Sequence, residues 1–314
     1  MLGRTANGVF WMFRYLERAE NTARLLDAGL RLALTRGASA ANGEWRSVLV
    51  TIGQDAQYRA RHSDYAGTSV CDWILRDPAN PGSVCAMIES ARSSARGVRT
   101  ALTREVWEAT NESWMTLCKL LARPIRASDL GDVLSVIRRQ ATLVRGAMDG
   151  TMLRNEIFNF ARIGTFIERS DNTARILDVK YYVLLPSVSL VGSSLDNVQW
   201  ETILRSVSGE RSYRWLNSGG IEPRGIARFM MLDGRFPRSL AFCYGKLRSN
   251  IAGLVREYGQ ESHSQALINA ADTALQSATV ESIVERGLHE FIGDFIVRNQ
   301  KIAEAISTDY RFTA

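Results

Sequence analysis

The sequence predicts an all-α protein, a tandemly duplicated multi-helix bundle with a pseudo-two-fold internal repeat. Three observations predict it. An 11-residue segment occurs twice, 151 positions apart. Apolar residues recur at helical spacing, while sustained period-two runs of β-branched residues are absent. Only 6 prolines interrupt 314 residues, which leaves room for long helices.

The repeat carries the domain organisation. Residues 17–27 (ERAENTARLLD) and 168–178 (ERSDNTARILD) agree at 8 of 11 positions, and the other three are Ala/Ser, Glu/Asp and Leu/Ile. Downstream, Trp45, Leu49 and Tyr58-Arg59 match Trp200, Leu204 and Tyr213-Arg214 at an offset of 155. Asp77, Pro81, Ser83, Arg92-Ser93 and Gly97 then match Asp233, Pro237, Ser239, Arg248-Ser249 and Gly253 at 156. The drift is what small insertions between matched helices produce. The expected units are residues 1–155 and 156–314, each of five to six helices and together able to form one fused body.

Individual elements follow from periodicity. Leu130, Val133, Leu134, Ile137, Ala141, Val144 and Met148 define one apolar helix face. Val280, Ile283, Val284, Leu288, Phe291 and Phe295 define a second. Breaks are expected at residues 37–43, 77–82, 123–127, 186–197 and 218–223. Ser128 is expected to cap the helix after it. Trp11, Trp45 and Trp200 fall at core positions. The loop Ser218-Gly219-Gly220 is expected to be a turn.

Composition narrows the function classes. The net charge is +6, built from 35 arginines and 4 lysines, with the surplus mainly in the first half. Arginine suits carboxylates and phosphates, but these residues are scattered, as a GC-rich coding sequence would also produce. Nucleic-acid binding would call for a clustered basic stripe, so no nucleic acid is expected. Cys71, Cys85, Cys118 and Cys243 form no CxxC pair, and the three histidines lie far from them in sequence. No metal site or cofactor is therefore expected. With no apolar run of membrane-spanning length and no signal-like start, no membrane partner is expected, and a cytoplasmic location is. Walker A, Rossmann, HExxH and GxSxG patterns are absent.

The duplicated helix is the candidate functional element. At 100° per residue, Met12, Leu16, Ala19, Ala23, Leu26 and Leu30 share one stripe. Glu20, Arg24 and Asp27 lie along its edge at spacings that allow pairing, Glu17 lies just beyond, and Arg18 and Leu25 point the other way. The second copy repeats this with Glu168, Arg169, Asp171, Asn172, Arg175 and Asp178. Two halves that have drifted elsewhere keep these groups. Either they pair across neighbouring helices, or they form a site. In the second case Glu17, Arg18, Glu168 and Arg169 are the catalytic candidates, and Glu20, Asn21, Arg24, Asp27, Asp171, Asn172, Arg175 and Asp178 would bind a ligand or partner.

The run Arg14-Tyr15-Leu16-Glu17-Arg18-Ala19-Glu20-Asn21-Thr22-Ala23-Arg24, repeated at 167–178, resembles the bacterial alpha-E family. Arg4-Thr5-Ala6 and Phe10-Trp11-Met12 resemble its opening. Phe13 stands where the family pattern has a glycine, and Gly164 stands at the aligned place in the second copy. The resemblance implies an all-helical domain, typically duplicated, named for its Glu-Arg motif. It also implies a setting beside ATP-grasp-type ligases, transglutaminase-like proteins and a peptidase with an N-terminal nucleophile. The expected role is a helical partner or scaffold in bacterial peptide synthesis or modification, with a peptide or anionic ligand. The alternative is an amide-forming or group-transfer enzyme using the Glu-Arg motifs.

Overall fold

The structure, a computed structural model, describes residues 1–36, 38–182, 194–217 and 220–312. Among these residues every regular element is helical, and all but one short 3₁₀ turn (Arg99–Ala101) are α-helices. They are α1 (Gly3–Arg36), α2 (Ala38–Thr51), α3 (Asp55–Arg59), α4 (Gly67–Leu75), α5 (Val84–Gly97), α6 (Arg104–Leu120) and α7 (Leu130–Thr151) in the first half. In the second they are α8 (Glu156–Tyr182), α9 (Ser194–Ser206), α10 (Glu210–Leu216), α11 (Pro223–Leu232), α12 (Leu240–Tyr258), α13 (His263–Ser277), α14 (Val280–Arg286) and α15 (Leu288–Asp309). This is more than the five to six helices per half expected.

The motif helices α1 and α8 are the longest, and they pack against each other. Around them, α1 touches α2, α5, α7 and α9, while α8 touches α12, α15, α2 and α9. One hydrophobic cluster runs through both halves, with Phe10, Leu26, Trp73 and Leu134 joined to Phe166, Leu204, Tyr244 and Ile302. Gly164 sets the approach of the two central helices. A Cβ there would lie 2.4 Å from the Phe10 carbonyl oxygen, so only glycine lets the backbones come this close. Phe13, by contrast, is a buried core side chain.

Matched sequence positions have matched surroundings. Trp45 and Trp200 are each buried, as are Leu49 and Leu204, and Tyr58 and Tyr213. Asp77 accepts from the backbone N–H of Ala79, and Asp233 from that of Arg235. Ser83 caps α5 by accepting from Ala86 N–H, and Ser239 caps α12 by accepting from Phe242 N–H.

Several local expectations are corrected. The break at 37–43 does not extend past residue 37, because α2 already begins at Ala38 and runs through Gly43. Ser128 is not a cap. Asp129 holds that position without a side-chain cap bond, and the Ser128 hydroxyl donates to Asp129 instead. The apolar stripe from Val280 to Phe295 is two helices separated at Gly287, whose φ of +101° favours glycine. Val284 is consequently exposed. The break expected at 186–197 falls mostly outside the described residues, although Ser194–Asn197 is already helical. The Ser218-Gly219-Gly220 turn falls largely outside the described residues as well. All seven residues of the stripe on α7 are buried. Trp11 is half-buried against the core.

Candidate functional site

The Glu-Arg motifs meet at the α1–α8 contact and exchange partners. Arg169 on α8 donates through Nε to Glu17 Oε1 (2.8 Å) and through Nη2 to Oε2 (2.9 Å). Arg18 on α1 donates through Nε to Glu168 Oε1 (2.5 Å) and through Nη2 to Oε2 (2.8 Å). Each glutamate is thus held bidentately by the arginine of the other copy, the strongest geometry available to this pair. Glu17 and Glu168 are 1% and 4% exposed, so water does not complete either shell.

Arginines outside the motifs complete the network. Arg145 of α7 donates to Glu17 Oε2 (3.2 Å) and ion-pairs with Glu20. Arg238, in the loop before α12, donates to Glu17 Oε1 (3.2 Å), Asn21 Oδ1 (2.7 Å) and Glu20 Oε1 (2.8 Å). That loop is fixed by its backbone: the Arg238 carbonyl accepts from the Thr173 hydroxyl of α8. Arg24 grips Glu20 from one turn on, with Nε and Nη2 at 3.0 and 2.7 Å from Oε1. On the other side, Arg14 donates to Glu168 Oε2 (3.0 Å). Arg175 donates to Asp171 (2.7 Å).

Electrostatics follow from this geometry. Burial alone would raise the Glu17 carboxyl, but Arg169, Arg238 and Arg145 outweigh it and hold it far below the usual carboxylate range. Glu168 is likewise held low against burial by Arg18 and Arg14. Asp171 goes the other way, since burial with Glu168 nearby outweighs Arg175 and raises it. Arg238 is pushed down to about 10, by burial and by the other guanidiniums around it. Carboxylates clamped as Glu17 and Glu168 are accept a proton poorly near neutral pH, which is unfavourable for general-base work. Burial pushes the Cys71 and Cys243 thiols up to about 12, away from nucleophilic thiolate.

The remaining candidates separate. Asp27 does not pair with Arg24, as its spacing suggested, but with Arg31 (3.5 Å) and Arg138 (3.2 Å). Asp178 meets His289 (2.6 Å). Asn21 joins the Glu17 cluster, whereas Asn172 is half-buried. Leu25, placed opposite the core stripe, is buried too, because α2, α5, α7, α8 and α9 all pack against α1. Arg14, Arg145 and Arg238 were not anticipated. Arg238 had a detectable signal: the matched loops put it opposite Gly82, an extra arginine in an otherwise corresponding segment. Among the described residues no group of His, Cys, Asp and Glu is arranged to hold a metal, and no helix is long and apolar enough to cross a membrane.

Comparison with known proteins agrees with this architecture. Uncharacterized proteins of Mycobacterium bovis and Mycobacterium tuberculosis are 23% identical over 306 residues, covering 90% of this chain. The chain spans only 33% of those proteins' length. No solved structure matches. A family model described as a predicted alpha-helical domain with a conserved ER motif matches residues 1–310. With both ER motifs now located at one interhelical contact, the chain belongs to the Alpha-E family.

Proposed function

We propose that this chain is a non-catalytic helical partner, or scaffold, for an ATP-grasp-type ligase in a bacterial peptide synthesis or modification system. The observation that carries the non-catalytic half is the closed state of the ER contact. Glu17 and Glu168 are buried, and each is bound bidentately by the opposite motif's arginine. Such an arrangement serves to lock two helices in register, which is the best-attested use of a buried ion pair. The partner half rests on the family's implied setting. The mycobacterial relatives support it, because their matching segment is one third of a longer chain, as a module acting with other domains would be. A transglutaminase-like protein is the second expected partner, and the cytoplasm the expected compartment.

The test is co-expression with an ATP-grasp-type ligase of the kind the family setting implies, followed by size-exclusion chromatography at low salt. Co-elution of the two folded proteins is expected. Separate elution of both overturns the reading.

A further inference from the structure

Gly53 and Ser208 occupy matched positions at the offset of 155, each just after its helix (α2 or α9). Both have left-handed backbone, with φ of +73° and +54°. Glycine takes this conformation freely, whereas a residue with a side chain pays about 1 kcal/mol or more. The second copy nevertheless has serine, and Arg24 donates through Nη1 to its hydroxyl (2.5 Å). Backbone strain of this kind concentrates at functional sites.

Ser208 and Arg24 open onto a cleft of about 440 Å³ between α1, α7 and the end of α9. Four arginines line it (Arg24, Arg138, Arg139 and Arg205), with the hydroxyls of Ser135 and Thr142. Among the described residues, the one carboxylate in its wall is Asp27, shared between Arg31 and Arg138. Arg205 pairs outward with Glu201 and Glu210. Arg139 is exposed and forms no ion pair among the described residues. Behind the wall, Glu17 and Glu20 face three further guanidiniums, those of Arg145, Arg169 and Arg238, besides that of Arg24 in the wall itself. The cleft is thus backed by unbalanced positive charge in a water-poor environment, where a fixed charge acts more strongly than in water.

Among the described residues the opposite edge is built differently. There Asp178 meets His289, where Asp27 meets Arg138. Gly82 stands where the first cluster has Arg238. Three departures from the repeat, at Ser208, Arg138 and Arg238, therefore converge on one edge of α1.

We propose that this cleft is a binding site for a small multivalent anion bearing phosphoryl or carboxylate groups. Guanidinium forks and hydroxyl donors suit both. Arg24, held by Glu20 and Ser208, is oriented before the ligand arrives. Arg139 supplies an exposed cation with no ion-pair partner among the described residues. The site is separate from the proposed partner role and stands or falls independently of it.

The experiment is isothermal titration calorimetry on the intact chain at low salt, with inorganic pyrophosphate and with citrate as probes. Saturable binding of at least one probe, near one per chain and weakened by added sodium chloride, is expected. The tighter probe identifies the anion's chemistry. R139Q should weaken binding about tenfold or more, the scale of a charged hydrogen bond. S208G relieves the backbone, so it should weaken binding while leaving the melting temperature equal or higher. R256Q removes an exposed arginine of α12 outside the cleft and should leave affinity unchanged. Failure of both probes to saturate overturns the proposal. So does an affinity that R139Q leaves unchanged, or that R256Q lowers equally.

Discussion

Two glutamates with the same motif around them sit in different company. Glu17 is surrounded by arginines from three directions, Arg145 on α7, Arg169 on α8 and Arg238 in the loop before α12. Glu168 is held by two arginines, Arg14 and Arg18, both on α1. The side chains around Glu17 are 8–17% exposed, while Arg18 is 38% exposed. The recurring segment thus supplies the members of the reciprocal pair, and the unmatched residues around it decide how much depends on each member. A buried ion pair adds little by itself, but removing one partner strands the other charge.

The largest expected effect breaks that contrast directly. E17Q leaves three buried guanidiniums short of counter-charge and should cost about 3–5 kcal/mol. E168Q should cost less, about 1–3 kcal/mol, because Arg18 can turn toward water. Urea unfolding of both variants checks the order, and equal losses would erase the distinction. The same comparison has a pH form. Both carboxylates are held below their ordinary value of 4.5, so their stabilising contribution is complete above that pH and is lost as pH falls below it. Wild-type stability should drop below pH 4.5, and E17Q should flatten that drop more than E168Q.

A second variant tests the geometry that makes the exchange possible. At Gly164 an added methyl meets the Phe10 backbone, which cannot rotate away. G164A should therefore destabilise by about 1–3 kcal/mol, although alanine favours helix by about 1 kcal/mol elsewhere. Thermal unfolding measures this. A stabilised G164A would show that the central helices do not depend on close approach.

The smallest effect lies at Asp171, which is matched to Glu20 but shorter by one methylene. Glu20 is held low, since the arginines Arg238, Arg145 and Arg24 overcome burial and Glu17. Asp171 is raised, so ionisation above its ordinary 3.8 works against folding, and stability rises as pH falls through its folded value. D171N should thus change stability at pH 7 by less than about 1 kcal/mol, whereas E20Q should destabilise. Denaturant midpoints at pH 7 check both expectations.

Much of this was legible from the residues. The α7 stripe was complete because helical spacing and burial coincide where a helix has one apolar side. The ER candidates were legible because the same charged types recur in both copies. Element ends were less legible. Ser128 has capping chemistry, but the chain places Asp129 at the helix start. Val284 has the right spacing, yet Gly287 ends the helix and turns that face to solvent.

The sequence by itself determined the helical class and the twice-occurring motif segment with its charged residues, because those follow from period, propensity and local identity. Only the tertiary structure decided that Glu17 answers Arg169 and Glu168 answers Arg18, since both are pairings across more than 140 residues. It alone brought Arg145 and Arg238 to the same carboxylate and gathered the arginines beside Ser208 into one cleft. Spacing along one helix limits which groups can meet within it. The partners across a contact are set by how close two backbones come, and here that distance depends on a glycine.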